Sequence, residues 1–207
     1  MLPAIAQLRT AATLMSLATP APLPIAPVIE AAIEPVEVPL FDENLNVHAR
    51  VAIRRDGSTD DATAKELKHL FRCRDTGGER KLAQKTLAML ADVADHWQGK
   101  DIEFVSVVRL GAKEPMESPH RDARAIDFRI RGVKLTEIRD YLWRSYTDVG
   151  VGWYPAEQFI HMDTRPGLHD TAWTFIEGVN HYHPYWAELA RQPAKPGASK
   201  LDHKPGV

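Results

Sequence analysis

The 207 residues are enough for one domain with some flanking chain. Hydrophobic residues make up 44% and charged residues 26%, a globular balance, and 26 Lys+Arg against 28 Asp+Glu leave a net charge of −2 with no basic surface for nucleic acid. The single cysteine, Cys73, excludes an internal disulfide and a CxxC zinc knuckle, and no apolar run reaches the ~18 residues of a membrane-spanning helix.

Six prolines lie from Pro20 to Pro39, and the chain before Glu30 carries almost no charge. Arg9 precedes the apolar run Thr10 to Ala18, and Ser16-Leu17-Ala18 is a small-x-small pattern. The segment reads either as a weak secretory leader or as a Pro-rich extension, so the folded domain is expected to begin near residue 39. Val47 to Arg54 alternates as a strand, with Val47, Ala49, Val51 and Ile53 on one face and Asp56-Gly57 as its turn. Asp60 or Asp61 caps a helix bearing Leu67, Leu70 and Phe71; a second helix carries Leu82, Leu87, Leu90, Val93 and Trp97 and stops at Gly99. Cys73 follows the first of these helices and reads as a small buried hydrophobe.

Ile102 to Val108 is a β-branched apolar run, and Arg124 to Ile130 is another strand, with Ala125, Asp127 and Arg129 on one face. Leu135, Ile138, Tyr141 and Leu142 mark a third helix. Gly150 to Tyr154 and Gln158 to Asp163 form an expected β-hairpin with Pro155 in the turn. Helices early and mixed strands late predict an α+β domain over residues 39–178, with an aromatic segment and a Lys/Pro/Gly tail over 179–207.

Two carboxylates stand where burial is costly. Asp127 is flanked by Ala125, Ile126 and Phe128, and Asp163 closes the run Phe159-Ile160-His161-Met162-Asp163. A buried carboxylate needs a partner charge, a hydrogen bond or a metal. His120 and His161 are the nearby imidazoles; two His and one Asp would leave a tetrahedral ion one open position. Residue spacing by itself leaves a metal trio and a buried His–Asp hydrogen bond both open. HExxH, GxSxG and P-loop motifs are absent.

Three motifs in order narrow this: Ser118-x-His120-x(6)-Asp127, Gly150-Val151-Gly152-Trp153-Tyr154-Pro155, and Phe159-Ile160-His161-Met162-Asp163-Thr164. Together they resemble the murein endopeptidase K family, over about Leu40 to Trp173. The resemblance implies a relative of the zinc D-alanyl-D-alanine carboxypeptidases and dipeptidases, with hedgehog-type domains as structural cousins. The implied fold has helices on one face of a mainly antiparallel sheet. It also implies one Zn2+ per chain on His120, Asp127 and His161, and hydrolysis of peptidoglycan peptides in the periplasm or cell envelope. Ser118 would help to hold the substrate, and Arg109 would stabilise an oxyanion or a substrate carboxylate.

The departures from the family pattern are local. Ala123 replaces a usual Gly, Ser106-Val107-Val108-Arg109 replaces Ser-Gly-Tyr-Arg, and the loop Leu110 to Glu117 is shorter. Gln158 stands where related dipeptidases carry a carboxylate base, three residues before the last His, and Glu157 is one position off. Asp163 shares the face of His161 and is open between two roles, proton acceptor and orienting partner of the imidazole. Trp153 and Tyr154 are candidates for lining a substrate groove or for packing the hairpin. His169, His181 and His183 read as surface residues, His48, His69 and His96 as structural, and Trp173, Tyr182, Tyr185 and Trp186 as a cover for the sheet edge rather than a glycan-binding surface. A non-catalytic zinc-binding module on the same fold, binding peptidoglycan or regulating, is the competing function; oligomeric state is not readable from the chain.

Overall fold

The computed structural model describes residues 34–165, 167 and 169–192, so the leader or extension read over residues 1–38 lies outside them up to residue 33. The order is β1 (Pro35–Asp42), β2 (Val47–Arg54), α1 (Asp61–Leu70), α2 (Gln84–His96), β3 (Ile102–Ser106), β4 (Ala125–Ile130), α3 (Leu135–Ser145), β5 (Val149–Tyr154), β6 (Phe159–Thr164), β7 (Thr171–Ile176), β8 (Val179–Tyr182) and α4 (Tyr185–Arg191). The strands form one eight-stranded sheet in the order β2-β1-β3-β4-β6-β5-β7-β8. All neighbours are antiparallel except β1 with β3 and β5 with β7. The class is α+β, as the order of helices and strands predicts.

Strand alternation divides the two faces of the sheet. Val38, Leu40, Val51, Ile53, Ile102, Phe104, Ile126, Phe128, Ile160, Met162 and Val151 point to one side and join a single core with residues of all four helices. Phe71, just past α1, meets Phe104 edge-on at 4.9 Å. Burying each such Leu, Ile or Phe contributes roughly 1.5–3 kcal/mol, so this face supplies most of the fold's driving force. Asp127 and His161, offset by one residue from these positions, point to the other side.

The sheet and the expected boundaries differ in detail. β1 begins at Pro35, ahead of residue 39, and β8 and α4 follow Gly178 where the sequence suggests only a cover and a tail. Pro35 and Pro39 are tolerated because β1 pairs with β3 only over Leu40–Asp42, which leaves the proline positions without a partner on that side. β3 stops at Ser106, with a register shift against β4 between Phe104 and Ser106. α1 is capped as expected: Asp60 accepts from the Thr63 amide at 2.7 Å.

The two halves of the sheet, β2-β1-β3-β4 and β6-β5-β7-β8, meet along a single seam between β4 and β6. There Ala125 pairs with Asp163, Ile126 with Met162, Asp127 with His161 and Phe128 with Ile160.

Candidate metal centre

Asp127 and His161 are register partners on adjacent strands, so their side chains emerge from the sheet side by side. His120 arrives from the loop before β4. That loop turns at Ala123, which has φ of 52°, a left-handed conformation in which glycine is unstrained and alanine is not. The Ala-for-Gly departure noted in the sequence falls on that turn.

The three side chains converge and are buried, with residue exposures of 1% for His120, 2% for Asp127 and 5% for His161. Their candidate ligand atoms lie within 4.8 Å of one another. His120 Nε2 is 3.2 Å from His161 Nδ1 and 3.4 Å from Asp127 Oδ2, and His161 Nδ1 is 2.7 Å from Asp127 Oδ1. A tetrahedral ion with bonds of ~2.0–2.2 Å spaces its ligand atoms by ~3.3 Å, which the 3.2 and 3.4 Å separations match, while the 2.7 Å one is that of a hydrogen bond.

Hydrogen bonds behind the rings assign their protons. His120 Nδ1 lies 2.6 Å from the carbonyl of Val107, which only accepts, so Nδ1 carries the hydrogen and Nε2 is bare. His161 lies between two carboxylates, with Nε2 donating to Asp163 Oδ2 at 2.9 Å and Nδ1 to Asp127 Oδ1 at 2.7 Å, so the ring holds a proton on the cluster side that an ion would have to displace. Asp163 is fully buried and also accepts from Arg165 Nε at 2.8 Å and from its terminal nitrogen at 3.0 Å. With that proton gone, two bare nitrogens and a carboxylate would face one another and repel unless a cation lay between them. The donor set therefore suits a metal ion, and a proton is the alternative.

The ionisation preferences have the same origin. Burial would push the His161 imidazolium down, but the hydrogen bonds and charges of Asp127 and Asp163 reverse this and raise it to about 9. Burial would raise Asp127, yet the charges and hydrogen bonds of His120 and His161 hold it well below the usual carboxylate range. Asp163, opposed by burial in the same way, is lowered to about 2 by His161 and Arg165. The pocket is built for positive charge among its carboxylates.

Each residue singled out from the sequence has a definite place. Arg109 NH1 lies 3.3 Å from Asp127 Oδ2, and the 41% exposed Arg109 side chain borders the open side of the cluster. Its Nε is 3.2 Å from Glu114 Oε2, off the line of a hydrogen bond. Ser118 is already engaged: its hydroxyl donates to Glu114 and accepts from the His120 amide at 3.3 Å. Asp163 sits behind His161, on the ring nitrogen turned away from the other two residues. Gln158 and Glu157 lie in the hairpin turn, because β6 starts at Phe159 and not at Gln158.

Tyr154 and Trp153 part company. Tyr154 is on the cluster's face, stacked on Phe159 at 4.4 Å, with its hydroxyl accepting from Trp173 Nε1 at 3.2 Å. Trp153 pairs with Ile160 and points to the helix side, where the Arg139 guanidinium lies 4.6 Å above its ring. Trp153 therefore lies off the cluster's face and borders a separate cleft with Lys134, Thr136 and Gln158. His48, His69, His169, His181 and His183 are exposed or half-buried away from the cluster, and His96 stacks on Tyr141 at 4.0 Å.

Trp173, expected only as part of an aromatic cover, and Arg165, which carries no signal in the sequence, both stand against the cluster. Trp173 stands 5.1 Å from the His161 ring and lies across Gly152, where an added Cβ would meet its ring atoms at 2.6 and 2.7 Å. At Gly150 a Cβ would meet Arg165 nitrogens at 2.6 and 2.7 Å. The Gly-x-Gly of β5 is therefore a bare floor on which the Asp163–Arg165 pair and Trp173 rest. The glycines were the available signal, but what lies over them depends on the parallel pairing of Gly152 with Trp173, which local pattern does not encode.

A family model described as peptidoglycan L,D-endopeptidase MepK matches residues 30–169. The probable peptidoglycan L,D-endopeptidase MepK of Haemophilus influenzae is 47% identical over 49 residues, covering 24% of this chain and 26% of that protein. The peptidoglycan L,D-endopeptidase MepK of Escherichia coli strain K12 is 42% identical over 53 residues, covering 26% of this chain and 29% of the relative. The aligned stretch thus spans under a third of either curated relative. No solved structure matches. The family match runs from before β1 to past β6, across both strands of the seam and the loop that brings in His120, and on that extent the chain belongs to the peptidoglycan L,D-endopeptidase MepK family.

Proposed function

We propose that this chain is a zinc-dependent peptidase that hydrolyses peptide bonds in peptidoglycan stem peptides or cross-links, and that it works in the periplasm, where that substrate lies. One observation carries the reading: candidate ligand atoms of His120, His161 and Asp127 converge in a buried cluster, and the far nitrogen of each imidazole is held by a hydrogen bond, to the Val107 carbonyl and to Asp163. His120, Asp127 and His161 would hold one Zn2+, which when bound supplies a Lewis acid for the scissile carbonyl and acidifies water. Arg109 offers its guanidinium to the substrate's carbonyl or carboxylate oxygen, beside Asp127. Asp163, anchored by Arg165, keeps the His161 ring turned inward. Ser118 and Glu114 brace the loop that presents His120, and Tyr154 with Trp173 walls the cluster on the β7 side. The fold is taken to be of the D-Ala-D-Ala-peptidase and hedgehog type.

The test is purified full-length protein, assayed for zinc content and incubated with cross-linked muropeptides, with products separated by chromatography. Zinc near one per chain, product from the wild type, and none from His161→Ala or after chelation would support the reading. Zinc-loaded protein that yields no product sinks it. A non-catalytic module is the second reading, favoured by the neutral Gln158 in the hairpin turn and by Asp163 facing away from the cluster. It predicts retention of muropeptides without turnover.

A further inference from the structure

Next to the cluster, on the far side of Arg109, a cleft of about 540 Å³ opens between two loops. Asp75 and Thr76 form one wall, Gly111, Lys113 and Glu114 the other, and Arg109 reaches from the cleft to Asp127. Both walls are held in place by the backbone. The Cys73 amide donates to the Gly78 carbonyl at 2.8 Å and the Gly77 amide to the Cys73 carbonyl at 2.9 Å. The Leu110 amide meets Cys73 Sγ at 3.3 Å and ties the second loop to the first. Arg121 then clamps the second loop, donating to the carbonyls of Gly111 at 2.9 Å, Glu114 at 2.8 Å and Pro115 at 3.0 Å. A cleft whose walls are already ordered loses little entropy when it is filled.

Its charges are arranged in an unusual way. Arg109 and Glu114 face each other, but Asp75 and Lys113 have no ion pair among the described residues. The Asp75 carboxylate lies across Gly111, where an added Cβ would stand 2.8 Å from Oδ2, so any larger residue there would push it from the cleft. One free anion and one free cation thus sit across a preformed cleft that ends at a second cation beside the metal ligands.

We propose that this cleft binds a free α-amino-acid group carried on a side chain of the substrate, its ammonium against Asp75 and its carboxylate against Lys113 and Arg109; a chain terminus bears only one of the two charges. The assignment rests on the peptidase reading, since it makes the cleft the pocket for a zwitterionic group next to the bond that is cut. A blocked, uncharged peptide would leave both groups unpaired, so the cleft discriminates by charge at both ends.

The test uses 15N-labelled, zinc-loaded full-length protein titrated with D-alanine, N-acetyl-D-alanine and D-alaninamide. D-alanine should shift the amides of Asp75, Thr76 and Gly111 to Glu114, and each blocked analogue should bind about tenfold more weakly. Asp75→Asn should abolish the preference for D-alanine over its N-acetyl form, and Lys113→Gln the preference over the amide. Both positions are exposed, so the variants' spectra will report an intact fold. Shifts confined to the surroundings of His120 and His161, shifts in the cleft that neither variant alters, or no shifts would each overturn the assignment. Muropeptide turnover is measured in parallel. Turnover without D-alanine binding removes the cleft assignment alone, whereas binding without wild-type turnover removes the peptidase reading and leaves the amino-acid site.

Discussion

Asp163→Asn separates an orienting partner from a proton acceptor. The wild-type carboxylate takes three hydrogen bonds while fully buried: one from His161 Nε2 at 2.9 Å and two from Arg165 at 2.8 and 3.0 Å. Asparagine keeps the shape but replaces one oxygen by an amide nitrogen, so a donor must face either His161 or Arg165. A buried donor left unsatisfied costs about 1–3 kcal/mol. If that cost falls on the geometry of His161, zinc affinity drops by ~10–100-fold, equivalent to about 1.4–2.8 kcal/mol. Competition with a chromophoric chelator measures the affinity, and muropeptide turnover at saturating zinc measures what remains. The expectation is weakened zinc binding with turnover within about tenfold of wild type once the site is filled. Unchanged zinc affinity with turnover abolished would refute this reasoning and return Asp163 to the role of base.

Three further outcomes follow from other parts of the fold. Gly152→Ala places a methyl group against the Trp173 ring and should destabilise the protein by about 1–3 kcal/mol in denaturant melts, with a smaller penalty in a Trp173→Ala background. Ala123 adopts φ of 52° with its side chain fully buried. Ala123→Gly trades relief of left-handed strain, about 1 kcal/mol, against a lost methyl group and a freer unfolded chain, and should leave stability within about 1 kcal/mol, whereas Ala123→Val should unfold at clearly lower temperature. Glu103 is opposed by burial, but its hydrogen bonds from Arg129 and Arg131 lower its pKa. A carboxylate depressed in the folded state contributes stability above its unfolded pKa of about 4.3, and this is lost as pH falls through the folded value. Glu103→Gln should therefore be less stable than wild type at neutral pH, with the gap closing on acidification; a pH-independent gap in denaturant titrations would contradict the assignment.

Strands β2 to β6 and helices α1 to α3 are legible in the sequence, whereas β1, with its two prolines, and the short β7 are not, although both hold buried residues. Val51 and Ile53, or Ile126 and Phe128, advertise their period because the other side of the strand is polar or differs in kind. Asp127 and His161 stood out for a related reason, a charged or polar group inside an apolar strand. Pairing was not legible. The hairpin could be read from Pro155, but its register, Tyr154 opposite Phe159, decides that Trp153 faces the helices and Tyr154 the cluster. β8 has no buried residue and therefore no period, so nothing in its pattern separates it from a tail. Glu114 sits in a loop, where contacts with Ser118 and Arg109 follow no repeat.

The seam between β4 and β6 has a consequence for how the protein unfolds. Four residue pairs join two four-stranded halves there, and the three prospective zinc ligands come from that seam or the loop entering it. An ion at this spot is a rivet across a joint, and its binding free energy adds directly to the coupling of the halves. With zinc, the halves should open as one cooperative unit in native-state hydrogen exchange. Without it, β5 to β8 should exchange at a lower opening free energy than β1 to β3, so the metal would set the cooperativity of the sheet as well as its chemistry.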